Sequence, residues 1–184
     1  MSLTALLQRV VDLLADAGVP HMLTGSLAAA YYSVPRATQD VDVVVAPTED
    51  GILRVVAALS EAGYYVDRAA ALEALKTRGQ FNAIDPETGW KVDLIIRKDR
   101  PFSETEFDRR ERASVFGIEV SLTTLEDLLV AKLEWAKIGD SALQRSDVRQ
   151  LLENRGDDLD RDYVETWVER LGLDDEWRAA GGGS

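Results

Sequence analysis

Three aspartates of this chain, Asp40, Asp42 and Asp93, sit in apolar runs where an uncompensated carboxylate is costly. Asp40 and Asp42 lie in Gln-Asp-Val-Asp-Val-Val-Val-Ala, Gln39 to Ala46, and their spacing of two sends both side chains to one face of a strand. Asp93 lies in Lys-Val-Asp-Leu-Ile-Ile, an otherwise apolar strand-like run. If the two strands are neighbours, the three carboxylates converge. At about 4 Å and an effective dielectric near 20, each pair would repel by roughly 4 kcal/mol. Divalent cations relieve such repulsion, and carboxylate oxygens select hard ones such as Mg²⁺ or Mn²⁺. The plainer reading is a set of strand-end charges at a sheet margin. Asp-x-Asp also occurs at Asp158/Asp160 and Asp160/Asp162, in a polar stretch that reads as solvated helix caps.

Other residue types suit an anionic ligand. Gly25-Ser26 stands between a strand and a helix, where glycine permits close backbone approach and helix amides face a phosphate. An ordinary turn with a serine N-cap explains the same pair. Lys91 shares a face with Asp93 by the two-residue period, placed to pair with it or to touch phosphate. Lys132 falls on a helix, where a snorkelling lysine is the plain alternative. Arg36 and Arg109-Arg110-x-Arg112 are weaker basic candidates; His21 reads as a satisfied margin residue, and Trp135, one turn from Lys132, as packing or a face for a base.

Composition sets limits on the chemistry. The 184 residues contain no cysteine and one histidine, which excludes thiol catalysis, cysteine-bound metals and a His-rich metal site. With 46% hydrophobic and 29% charged residues, the chain is of ordinary globular composition. Its net charge of −12 disfavours broad polyanion binding. The charge is uneven. Asp147 to Ser184 holds 11 acidic and 5 basic residues, net −6, whereas Lys91 to Arg112 holds 6 acidic and 7 basic, net +1. No targeting signal or membrane span is evident, so a cytoplasmic protein is expected.

The elements that must position these residues follow from periodicity and punctuation. An amphipathic helix is expected over Leu3 to Ala17, a strand over His21 to Thr24, and an alanine-rich helix from Gly25 to about Ser33, before Pro35. After the Asp40 strand, Pro47-Thr48 opens a helix that ends near Gly63. Short elements follow: a strand at Tyr64 to Val66, a helix at Ala69 to Lys76, and strands at Gln80 to Ile84 and Lys91 to Arg97, joined by hairpin chemistry in Asp-Pro-Glu-Thr-Gly. Phe102 to Glu111 reads as a polar helix or loop, and Ser114 to Leu122 as a strand pair or an edge strand broken at Gly117. Thr123-x-x-Glu126 reads as a capping box, followed by helices over Leu125 to Ile138, Ser141 to Asn154 and Asp160 to Leu171. The expected organisation is an α/β core over 1–122, a helical region over 123–180 packed on it, and a flexible glycine tail over 181–184.

Thr24-Gly25-Ser26, Asp40-Val41-Asp42 and Lys91-Val92-Asp93 together resemble the nucleotidyltransferase superfamily of the DNA polymerase beta type. Its pattern is Gly-Ser, a spacer of about ten residues, Asp-x-Asp and a third acidic residue on a later strand; here 13 residues separate Ser26 from Asp40. The chain is most similar to the AbiEii/AbiGii toxin-like branch, in which Lys91-Val92-Asp93 matches a Lys-hydrophobic-Asp motif, Lys132 a helix lysine, and Asp147 the first acidic residue of an Asp-x-x-Asp. Gln150 departs from that last motif. The resemblance covers roughly Leu23 to Leu152.

What the resemblance implies is an α+β fold with a mixed β-sheet flanked by helices, and transfer of a nucleoside monophosphate from an NTP to a hydroxyl of RNA, protein or a small molecule. Asp40, Asp42 and Asp93 would be catalytic and would hold Mg²⁺ or Mn²⁺; Gly25, Ser26, Lys91, Lys132 and Asp147 would bind the nucleotide. The expected partners are an NTP, a tRNA or protein acceptor, and a cognate antitoxin or toxin. The alternative is a catalytically inactive module of the same fold, acting as antitoxin or regulator.

Overall fold

Leu6, Leu7, Val10 and Leu14 form the apolar stripe that makes α1 (Leu3–Asp16) amphipathic, and the Ser2 hydroxyl caps its first turn. The computed structural model describes residues 2–35 and 37–183. In it, α1 packs over a seven-stranded sheet built from β1 (His21–Leu23), β2 (Asp40–Val45), β3 (Tyr65–Val66), β4 (Gln80–Ile84), β5 (Lys91–Ile96), β6 (Glu111–Val115) and β7 (Ile118–Leu122). The strand order is β3-β4-β5-β2-β1-β7-β6. β2 and β5 run parallel, as do β1 and β7, while the other neighbours are antiparallel. The sheet is therefore mixed and the fold is α+β, as the sequence led one to expect.

Alternation along β2 assigns its two faces. Val41, Val43 and Val45 are buried and join the main core with Leu14 of α1 and with Ile52 and Val55 of α3 (Glu49–Glu61). Asp40, Asp42 and Val44 face the other way, where Val44 packs with Met22 and with Phe107 of α5 (Pro101–Asp108). Helix α2 (Gly25–Tyr32) connects β1 to β2, and α4 (Arg68–Thr77) lies between β3 and β4. The chain then closes with α6 (Leu125–Gly139), α7 (Ala142–Arg155), α8 (Arg161–Leu171) and α9 (Asp174–Ala179), of which α6 and α7 both pack on α2.

Several expectations change. The polar stretch after Arg100 is a helix that ends at Asp108, and Glu111 already belongs to β6. β6 and β7 form a hairpin around Phe116 and Gly117, both with positive φ (51° and 83°), the backbone of a tight two-residue turn. The capping box is displaced by one residue: Thr124, not Thr123, caps α6, and its hydroxyl accepts the Asp127 amide. Thr123 is occupied by the sheet, because its amide donates to the Leu23 carbonyl and prolongs the β1–β7 pairing. Helix α9 was not foreseen. The glycine tail is also partly placed: the Gly182 amide donates to the Trp177 carbonyl, and a Cβ at Gly182 would lie 2.2 Å from the Trp177 ring. Among the described residues, no helix is long and apolar enough to cross a membrane.

Candidate active site

The parallel register of β2 and β5 sets Asp40 beside Lys91 and Asp42 beside Asp93. Neighbouring strands lie about 4.8 Å apart, so a register match of this kind makes direct side-chain neighbours. Asp42 and Asp93 line one cavity of about 200 Å³ together with Gly25, Ser26 and Lys132. Three of the expected residues are not among its lining residues. Asp40 and Lys91 are beside the carboxylate pair, and Asp147 lies behind Lys132, to which it is bonded.

Gly25 explains how the Asp42 carboxylate reaches the helix N-terminus. Its φ is +65°, and a Cβ there would lie 2.0 Å from Asp42 Oδ2. Only glycine tolerates both conditions, the left-handed backbone and the close approach. The Ser26 amide then donates to Asp42 Oδ2 at 3.4 Å, and the Thr24 amide to the Asp42 carbonyl at 3.0 Å. Burial pushes the Asp42 carboxyl above the ordinary carboxylate range; the Ser26 amide opposes this and the neighbouring Asp93 adds to it.

Lys91 is the cation that pairs with two of the three carboxylates, Asp93 and Asp40. Its Nζ lies 2.9 Å from Asp93 Oδ2 and 3.5 Å from Asp40 Oδ1, and the bond to Asp93 raises its pKa above that of a free lysine. Lys132 is not a snorkelling residue. It is 3% exposed, and its Nζ donates to Asp147 Oδ2 at 2.8 Å and to Gln144 Oε1 at 3.2 Å.

The residues present fit a hard divalent cation at one position better than at two. Asp93 Oδ1 is buried and accepts no hydrogen bond among the described residues, and Asp42 stands beside it in register. That is an oxygen donor pair suited to Mg²⁺ or Mn²⁺. The complete three-carboxylate set is not gathered, however. Among the described residues, no three His, Cys, Asp or Glu side chains stand close enough to hold an ion together. Asp40 is instead drawn towards Lys91.

A second, smaller cavity of about 70 Å³ adjoins the first, sharing Thr24, Ile95, Ala131 and Trp135 with it. Trp135 is 44% exposed and so stands at the mouth of both cavities. Glu106 and Glu134 line the smaller cavity, and Glu134 takes a two-point bond from Arg100. Glu106 is buried, has no hydrogen bond or ion pair among the described residues, and has its carboxyl pKa pushed up to about 8 by burial, with Asp127 and Glu134 adding to the shift.

Sequence reasoning missed Gln80, Gln144 and Glu106. The two-residue period of β4 would have found Gln80, which pairs with Ile95 on the face that carries Asp93. Gln144 lies three residues before Asp147 on α7, hence on the same helix face. Arg109, one of the weaker basic candidates, is a structural residue: it bonds Asp127 and Glu126 and stacks on Tyr163. Arg110 bonds the Phe107 carbonyl, and Arg36 lies outside the described residues. His21 is a margin residue whose Nδ1 lies 2.9 Å from the Val19 carbonyl.

Comparison with known proteins bears on the fold. No protein-family model and no curated protein matches the sequence. Solved structures do match. The antibiotic-resistance factor ANT(2'')-Ia in solution is 15% identical with a TM-score of 0.62, the match covering 95% of this chain and 92% of that one. Its crystal structure with adenylyl-2''-tobramycin gives 15% identity and 0.60 over 94% and 97%. The lincomycin-bound lincosamide antibiotic adenylyltransferase LnuA gives 14% and 0.56 over 82% and 96%. The chain has the nucleotidyltransferase fold. The likeness to the AbiEii/AbiGii branch is not carried by these matches.

Proposed function

We propose that the chain is a metal-dependent nucleotidyltransferase that moves a nucleoside monophosphate from an NTP to the hydroxyl of a small molecule. The observation that carries this reading is the joining of Asp42, Asp93, Gly25, Ser26 and Lys132 around one cavity by a register that sets the two aspartates side by side. The acceptor oxygen attacks the α-phosphorus, the bond to the β-phosphate oxygen breaks, and pyrophosphate leaves. The Asp93 carboxylate takes the proton of the attacking hydroxyl. The α2 N-terminus and Lys132 face the phosphates, with Asp147 orienting the lysine. A divalent cation on Asp42 and Asp93, when bound, supplies the charge that stabilises the attacking and leaving oxygens.

Three observations favour a small acceptor over tRNA or protein. The adjoining cavity is small, about 70 Å³, and is lined in part by Val44, Ile95 and Trp135. The net charge of −12 opposes a polyanion. Two structural neighbours are described with small-molecule antibiotics. The alternative, an inactive module serving as antitoxin or regulator, is favoured by one feature: both lysines of the site are already bonded to carboxylates.

One experiment tests these readings. The protein is incubated with Mg²⁺ and each α-labelled NTP, with total tRNA, protein extract or a low-molecular-weight extract as acceptor. Pyrophosphate release and label in the low-molecular-weight fraction are expected, with Asp42→Asn and Asp93→Asn slower by about 10³-fold or more. Label in tRNA or protein would replace the small acceptor by a macromolecule. No release from wild type with any fraction would leave the inactive module.

A further inference from the structure

We infer that Lys91 is a built-in cation of the carboxylate site, taking the place between Asp40 and Asp93 where a second metal ion would otherwise sit, so that without nucleotide the chain binds one divalent ion tightly and not two. The inference rests on the metal-dependent reading above.

Register is the first support. Lys91 directly faces Asp40 across the β2–β5 pairing and precedes Asp93 by two residues, so residues 40, 42, 91 and 93 project from one face of the sheet. The ammonium uses that placement. It lies 2.9 Å from Asp93 and 3.5 Å from Asp40, bridging the two carboxylates. Asp42 is held differently, against the Ser26 amide. Lys91 is about one-third exposed and Asp93 only 11%, so the ammonium covers the open side of a mostly buried carboxylate.

The division of oxygens is the second support. Asp93 gives Oδ2 to Lys91 and keeps Oδ1 buried with no bond among the described residues. Asp42 and Asp93 then remain as the carboxylate pair that lines the cavity. Asp40, held by the lysine, is not among its lining residues. In keeping with this division, among the described residues no three acidic side chains are gathered around one point.

Charge balance is the third support. Asp40, Asp42 and Asp93 carry −3 when ionised; Lys91 and one divalent cation carry +3. A second divalent cation would leave the cluster at +2 before any phosphate arrived. Lys132 does not alter this sum, because Asp147 is bonded to it. A second metal entering with a triphosphate is accompanied by that ligand's four negative charges, a different situation from the protein with metal alone.

The test is a Mn²⁺ titration of the full chain without nucleotide, read by the loss of the free-ion electron paramagnetic resonance signal. Wild type is expected to bind one ion at least tenfold more tightly than any other, and Asp42→Asn to lose it. Lys91→Gln and Lys91→Met, which vacate the bridge, are expected to bind two tight ions; Lys91→Arg, which keeps the charge, one. Two tight ions on wild type would overturn the role of Lys91 while leaving metal dependence standing, and this result needs no variant to fold. One ion on a folded Lys91→Gln or Lys91→Met would overturn it as well. No tight ion on wild type or on either neutral variant would overturn the metal-dependent reading itself.

Discussion

Glu106 shows how the surroundings of one side chain set its chemistry. Nothing about Phe-Ser-Glu-Thr-Glu-Phe marks it, yet it is buried under α6 and its carboxyl pKa is raised to about 8, by burial first and then by Asp127 and Glu134, against the opposing charges of Arg100 and Lys98. The native state therefore holds a proton that the unfolded chain releases. Stability from this group is full below about pH 4.5 and is lost as pH rises through about 8. Urea unfolding should show wild type losing a few kcal/mol of this origin between about pH 5 and pH 9. Glu106→Gln should match wild type near pH 5, be the more stable protein near pH 9, and show a flatter profile. An equal pH slope in the two proteins would remove the effect. The contrast with Asp42 explains what a sequence discloses of a site. Asp42, Asp93 and Lys91 can be read because a strand's period of two fixes which side chains share a face whatever else the chain does. Their cross-strand match cannot, since it depends on β2 and β5 being neighbours although 45 residues separate the end of one from the start of the other. Glu106 could not be read because its burial comes from a different element altogether.

Between elements, the most buried ion pair among the described residues is Lys132 of α6 with Asp147 of α7, 3% and 5% exposed. Removing one member of a buried ion pair strands the other, at about 3–5 kcal/mol, whereas replacing both with apolar groups of similar volume is often close to neutral. Asp147→Ala should therefore lower the thermal midpoint by about 6–20 °C for a chain of this size. Lys132→Met with Asp147→Leu should recover most of that stability without recovering nucleotidyl transfer, as followed by calorimetry and pyrophosphate release. Equal loss in the single and double variants would mean that packing, not charge, holds α6 to α7. A second link is Asp127, fully buried, which accepts from Arg109 of the α5–β6 connection, Thr124 of the cap and Tyr163 of α8. These two links also show where element-level reading stops. Helix lengths and the β6–β7 turn follow from local signals. The cap moved from Thr123 to Thr124 because β1 recruits the Thr123 amide, a tertiary demand that overrides the local motif. The strand order, with β1 and β2 central and β6 at an edge, is likewise set by which apolar faces must be covered and not by any one segment.

Across the whole molecule, the net charge of −12 is a statement about what approaches the cleft. Half of the excess lies from Asp147 onward, and α7 contributes Gln144 to the cavity wall, so the acidic region adjoins the site. Lys91 to Arg112, net +1, has four of its seven cations already paired with carboxylates, Lys91 among them. Arg97 reaches Asp99, Arg100 is bonded to Glu134, and Arg109 to Asp127 and Glu126. A polyanionic acceptor thus meets a repulsive field, and added salt would ease its approach by shortening the Debye length from about 30 Å at 0.01 M to about 10 Å at 0.1 M. A cationic small molecule would meet the opposite field and be slowed by the same salt. A neutral one would change little. The NTP and its metal are common to every acceptor, so their salt dependence divides out when acceptors are compared at fixed nucleotide and free Mg²⁺. Initial rates of label transfer from low to moderate KCl should fall, or hold within about threefold, for the small-molecule acceptor, and rise for tRNA. Transfer to tRNA that instead weakens steeply with salt would require a basic track along the nucleic acid, since that slope counts phosphates neutralised by Lys and Arg. Arg97, Arg100 and Arg109 could join such a track only by leaving their carboxylates.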